Sequence, residues 1–174
     1  MLRAVNVGGH NKIKMDELRE LCESLGFGEP RTFIQSGNVV FRTKEKSLVM
    51  IGDKLEAGIE GRFGFRPDTI LRTAATLEAA MAASPFAARD PAKSHITFLK
   101  SDPGDAARAR AMAIKIDPEE MHAIGSELHT YYPLGQGKSK FPAAAVQKAI
   151  GVPGTARNLN SVAKMLEMAR EIER

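Results

Sequence analysis

Apolar positions along the chain alternate between short runs and stripes of helical spacing. Leu2 to Val7 mixes apolar residues with Arg3 and Asn6 and stops at Gly8-Gly9, which predicts a strand closed by a turn. Leu18, Leu21, Cys22 and Leu25 then fall on one helix face, with Asp16 and Glu17 in its first turn and Gly26 as C-cap. Arg31 to Gln35 and Val39 to Arg42 flank Ser36-Gly37-Asn38 and predict a hairpin. Leu48, Ile51, Leu55 and Ile59 predict a second helix ending near Gly61 or Gly64, and Thr69 to Leu71 a short strand. The order β-α-β-β-α-β is the ferredoxin-like plan.

The pattern then starts again. An Ala-rich helix is expected over Thr76 to Ala83. Ser84 to Ser94, with two prolines and mixed charge, reads as a linker. His95 to Leu99 predicts a strand, and Asp102-Pro103 the N-cap and first position of a helix to about Ala113. Glu120 to Ile124 and Glu127 to Tyr132 predict a hairpin over Gly125-Ser126. Leu134 to Lys140 is a polar loop, Pro142 to Ile150 a helix, Val152 to Arg157 a connector, and Asn160 to Glu173 a last helix. The expectation is an α+β chain of two small α/β lobes. The first, 1–83, is ferredoxin-like, and the second, 95–174, is a related β-α-β-β-α-α unit joined to it by 84–94. The lobes echo each other in element order, without a sequence repeat.

Composition narrows this little. A chain of 174 residues suits one domain or two small lobes, and 43% hydrophobic with 26% charged residues is ordinary for a folded protein. The single Cys22 cannot form an internal disulfide. No apolar run approaches the roughly 20 residues of a membrane helix, and Met1 to Val5 lacks the pattern of a signal peptide. A cytoplasmic protein without membrane partner is expected. A net charge of +4 permits a polyanion partner without requiring one.

Three passages carry a family resemblance: Leu2-Arg3-Ala4-Val5-Asn6-Val7-Gly8-Gly9-His10-Asn11-Lys12; Phe33-Ile34-Gln35-Ser36-Gly37-Asn38-Val39-Val40-Phe41; and Gly135-Gln136-Gly137-Lys138-Ser139-Lys140 with Thr155-Ala156-Arg157-Asn158. The chain resembles the bacterial family called domain of unknown function 1697. The resemblance implies two α/β lobes, at least one ferredoxin-like, and no established activity. Ala4 stands where the family usually has glycine, and Leu159 where it often has tryptophan.

The candidate chemistry is anion recognition. Gly8-Gly9 between a strand and a helix suggests a phosphate turn, but the third glycine of the dinucleotide fingerprint is missing, and Asp16 and Glu17 oppose an anion. The turn would present His10, Asn11 and Lys12. The loop at 135–140 fails as a P-loop because Tyr132 stands where glycine is required. Its Lys138, Ser139 and Lys140 still precede a helix free of early acids, and Arg157 and Asn158 precede another. These residues define an expected site for a phosphate-containing or nucleotide-like ligand, with the early and late loops sharing it if the lobes face each other. A solvated basic loop and a helix cap account for the same residues. Nucleic acid is the alternative partner on the same residues, although the first strand has no base-stacking aromatic, and a protein-interaction module is the third reading. Neither a cofactor nor a catalytic acid, base or nucleophile is assigned, and oligomeric state is not legible.

If Gly125-Ser126 is a two-residue turn, His122 opposes His129, and with Glu120 they make a metal candidate. An exposed polar sheet face is the commoner meaning of that pattern. Gln35, Ser36 and Asn38 read as a polar hairpin tip explained by turn chemistry, or else as ligand contacts.

Overall fold

The computed structural model describes residues 1–173. They form two compact units: residues 1–75 together with the chain from 164 onward, and residues 76–163.

In the first unit, α1 (Met15–Ser24) is followed by the hairpin β1 (Gly28–Phe33) and β2 (Asn38–Arg42), then α2 (Leu48–Phe63). β1 and β2 pair antiparallel, with Phe33 opposite Asn38. The strands expected at Leu2 to Val7 and at Thr69 to Leu71 are both largely missing. Leu2 makes one antiparallel bridge, to Thr69, and its N–H donates to Gly37 O at 2.9 Å. The ferredoxin-like path is thus followed, with Met1-Leu2 between Thr69-Ile70 and the hairpin, where Ile70 N–H donates to Met1 O at 2.8 Å. Left-handed backbone at Ala4 and Asn6 prevents a longer ladder. Buried Glu56 fixes the Thr69 side of this arrangement, its Oε1 accepting from both Thr69 N–H and Thr69 Oγ1 at 2.9 Å. Leu18, Leu21 and Cys22 from α1 pack with Leu2, Val5, Phe27, Val39, Ile51, Leu55 and Ile59 into one core.

The second unit begins within α3 (Ala74–Ala82) and continues through β3 (Ser94–Leu99), α4 (Asp105–Met112), β4 (Glu120–Ile124), β5 (Glu127–Tyr131), a short 3-10 turn at Gln136–Lys138, α5 (Ala143–Ile150) and β6 (Gly154–Asn158). The stretch expected as a connector is therefore a strand. β6 pairs with β3, and the antiparallel sheet runs β4-β5-β3-β6. That order, with these connections, is the complete ferredoxin-like sheet, so the fuller version of the plan stands in the second unit. Residues 84–94 belong inside this unit, because Phe86 is only 2% exposed and Ser94 Oγ donates to Asp90 O at 2.9 Å. Asp102 does not cap α4. Gly104 takes that position, and Asp102 Oδ1 accepts from its N–H at 2.7 Å in a tight side-chain turn. α6 (Leu159–Glu173) follows β6 directly; its later turns belong to the first unit, where Glu171 pairs with Arg31 at 2.7 Å.

Strand alternation sorts the second sheet's side chains. Leu99, Met121 and Leu128 face α4 and α5 and cluster with Ala111, Val146 and Ile150. Ile96, Phe98, His129 and Arg157 lie on the opposite face and are also buried, so neither face is a wet polar surface throughout.

Candidate functional site

The opening glycine turn belongs to a loop that closes on itself. Val7 bridges His10, and His10 N–H donates to Val7 O at 3.1 Å. Gly8 and Gly9 both take positive φ, at 59° and 80°, the signature of a type I′ turn. A Cβ on either would meet nothing within 4 Å, so backbone conformation alone requires these glycines. Ala4, Asn6 and Asn11 are left-handed as well. Asn6 N–H donates to Asn11 O at 3.1 Å, and Asn11 Nδ2 donates to Ala4 O at 3.1 Å.

Asn6 is the clamp of this loop. Its Oδ1 accepts from Ile13 N–H at 2.9 Å, while its Nδ2 donates to Ile13 O at 2.9 Å and Gln35 O at 2.7 Å. The last bond ties the loop to the β1–β2 hairpin tip. There Ile34, a β-branched residue, holds φ at 52°, a conformation such residues adopt only when their surroundings impose it. Asn38, fully buried, locks the other side of the tip by donating to Phe33 O at 3.2 Å.

Between the loop, the tip and the start of α1 lies a cleft of about 650 Å³, within the range of small-molecule sites. Asn6, Lys12, Lys14, Glu17 and Gln35 line it. Lys14 occupies the N-cap of α1 without a capping side chain, so the first-turn N–H groups keep their capacity for an acceptor. Lys12 and Lys14 are exposed and make no ion pair among the described residues. Asp16, which the sequence set against an anion here, is taken up by Arg19. Among the described residues Glu17 remains the one unneutralised acid of the cleft.

Of the early candidates, Lys12 lines the cleft, whereas His10 and Asn11 lie on the exposed outer turn. Lys14 escaped the sequence reading because an N-cap lysine carries no motif.

The late candidates, all in the second unit, separate from one another. Lys138 and Lys140 are exposed on their loop. Ser139 Oγ donates to Glu119, a carboxylate only 8% exposed at the foot of that loop. Arg157 is drawn away from the lysines. Its side chain lies on the sheet face opposite Ala156, buried, with Nη1 donating to Thr155 Oγ1 at 2.7 Å and Ala156 O at 2.8 Å. Burial brings its pKa down to about 10. Asn158 caps α6, its Oδ1 accepting from Ser161 N–H at 2.9 Å.

The second hairpin has the expected register, with His122 opposite His129 and Ile124 opposite Glu127. On this face the three metal candidates have other surroundings. His129 is 1% exposed, Arg89 engages the Glu120 carboxylate, and among the described residues no three metal-ligating side chains converge. Phe86 and Arg89 cover this face: the Phe86 ring lies 5.6 Å from His122, and the Arg89 guanidinium sits 4.7 Å over the Tyr131 ring. Burial and the neighbouring His122 bring the His129 pKa down to about 4, and among the described residues neither of its ring nitrogens has a hydrogen-bond partner.

Fold and cleft together define an α+β protein with ferredoxin-like architecture. It belongs to the family described as Protein of unknown function (DUF1697), whose model matches residues 1–129. That match spans the closed loop and the hairpin tip. A solved structure, that of conserved bacterial protein SP0830 from Streptococcus pneumoniae, is similar to this chain at 25% identity, covering 97% of this chain and 96% of its own, with a TM-score of 0.76. No curated protein matches the chain. Among the described residues no helix is long and apolar enough to cross a membrane.

Proposed function

We propose that the first unit binds a small anionic ligand, of the size of a nucleotide or a phosphorylated metabolite, in the cleft beside α1. The observation that carries this reading is the pair Lys12 and Lys14, unpaired among the described residues, beside an uncapped helix start in a cavity of about 650 Å³. Helix N–H groups and lysines are the usual partners of phosphate oxygens. The strained, cross-bonded loop supplies preorganisation, because its hydrogen bonds hold Asn11 and Ile13 on either side of Lys12 before any ligand arrives. Glu17 favours a ligand that also offers a donor, such as a ribose hydroxyl or an amine.

Titration calorimetry with pyrophosphate and with adenosine monophosphate tests this. Saturable binding at one ligand per chain is expected, weakened at least tenfold (about 1.4 kcal/mol) in Lys12→Ala/Lys14→Ala. Heats unchanged by that double substitution would sink the reading.

The exposure of Lys138 and Lys140, neither in an ion pair among the described residues, favours a second reading, binding of nucleic acid along the late loop. Such binding would grow with oligonucleotide length and fall steeply with salt, whereas a one-site ligand would show neither trend.

A further inference from the structure

A second cavity lies within the ferredoxin-like unit. It holds about 180 Å³, between the sheet face carrying Thr97, Thr130 and Ala156 and the segment that runs from Tyr132 through Phe141 into α5. We propose that this cavity is a binding site for a neutral, single-ring heteroaromatic molecule the size of a pyrimidine base.

Three properties of the walls select that class. The first is size. A dry cavity of roughly 150 Å³ accommodates benzene, so about 180 Å³ takes one six-membered ring with small substituents and excludes a fused or phosphorylated one. The second is the aromatic corner. Tyr132 and Phe141 meet edge-on, centroids 5.7 Å apart at 78°, and His95 meets the other side of Tyr132 at 5.0 Å and 89°. A planar guest extends that edge-to-face arrangement. Leu99, Leu128, Val146 and Ile150 supply the apolar remainder.

The third property is polarity without charge. Among the described residues no Asp, Glu, Lys or Arg lines the cavity, whereas Thr97, Thr130, Tyr132, Gln136 and Gln147 do. Burying an unpaired charge there is costly, which rejects ionic ligands. Gln136 already engages Tyr132 and His95, so the open polar capacity lies at Gln147, and a pure hydrocarbon would leave that amide oxygen unmatched where a ring bearing an N–H group would not. Gln147 is held in place, because its Nε2 donates to Val152 O at 2.7 Å, leaving its Oε1 as an acceptor. The sequence could not show this site: its polar residues are scattered over β3, β5, the following loop and α5, with no local motif.

The test is ¹H–¹⁵N NMR titration of the whole chain with uracil, benzene and benzoate as separate probes. Uracil is expected to saturate at one equivalent, with shifts confined to residues 97–99, 128–132, 136–150 and 154–156. Benzene should bind at least fivefold more weakly, and benzoate should leave the spectrum unchanged. Ala156→Leu, which fills the cavity from β6, should abolish uracil binding, and Gln147→Leu should weaken uracil about tenfold while sparing benzene. If Ala156→Leu does not fold, Ala143→Leu fills the same cavity from α5 and carries the test. Absence of uracil shifts at millimolar concentration overturns the proposal. So does benzene or benzoate binding as tightly as uracil, or a folded cavity-filling variant that binds uracil unchanged.

Discussion

Asn6 concentrates the logic of the first unit in one side chain. Its three hydrogen bonds join a left-handed loop, the start of α1 and the hairpin tip. Asn6→Ala strips partners from backbone groups of Ile13 and Gln35. A loss of about 1–3 kcal/mol is expected in urea unfolding, along with weakened anion binding as the cleft wall loosens. His129 offers a different readout. Its ring stays neutral in the folded protein down to a pH of about 4, against an ordinary value of 6.5. Above pH 6.5 neither state takes the proton, so nothing is lost. Between 6.5 and about 4 the unfolded chain binds a proton that the folded chain refuses, and stability falls as pH falls. Melting temperatures across that window should decline, and His129→Leu should flatten the decline. Cys22, fully buried in α1, has its thiol pKa pushed up to about 12 by burial. A thiol reagent should label it only under denaturing conditions, as expected for a packing residue rather than a nucleophile.

At the scale of elements, helices and hairpins were legible in the sequence, and backbone strain was not. The stripe Leu18, Leu21, Cys22 is the buried face of α1, and the His122–His129 register follows from a two-residue turn over Gly125-Ser126. The segment Leu2 to Val7 has a strand's composition and fails to be one because Ala4 and Asn6 turn left-handed; asparagine tolerates that conformation, but alanine gives no sign of it. β6 failed in the opposite direction. Gly154-Thr155-Ala156-Arg157-Asn158 has little apolar alternation, and its pairing with β3 is what makes it a strand. The glycines separate these causes. Gly8→Ala meets only its φ and should cost about 1–2 kcal/mol. Gly37→Ala also brings a Cβ to 2.9 Å from Leu2 Cβ. It should cost more, by displacing the Leu2 segment from its place beside the tip. Chemical denaturation of the two variants side by side checks the order.

At the scale of the whole molecule, both units follow one path, β-α-β-β-α-β, with different completeness. The second unit builds the full four-stranded sheet. The first keeps a two-stranded ladder, its first and last strands reduced to the Leu2–Thr69 bridge, and much of the first becomes the closed loop beside the cleft. The sequence placed anion chemistry mainly on the late loop, where lysines and glycines are most visible. Folding removes Arg157 from that loop and sets buried Glu119 beneath it, while it gathers Lys12 and Lys14 around a cavity. The two lysines are near neighbours in sequence; what folding adds is the opposite wall, Asn6 joined to Gln35 at 2.7 Å, which spacing rules do not reach. The net charge of +4 says nothing about which loop is used. The deciding measurement is pyrophosphate calorimetry on two double variants. The account predicts that Lys12→Ala/Lys14→Ala loses at least tenfold in affinity while Lys138→Ala/Lys140→Ala binds like the unmodified chain. The reverse pattern, or equal loss in both, would contradict it.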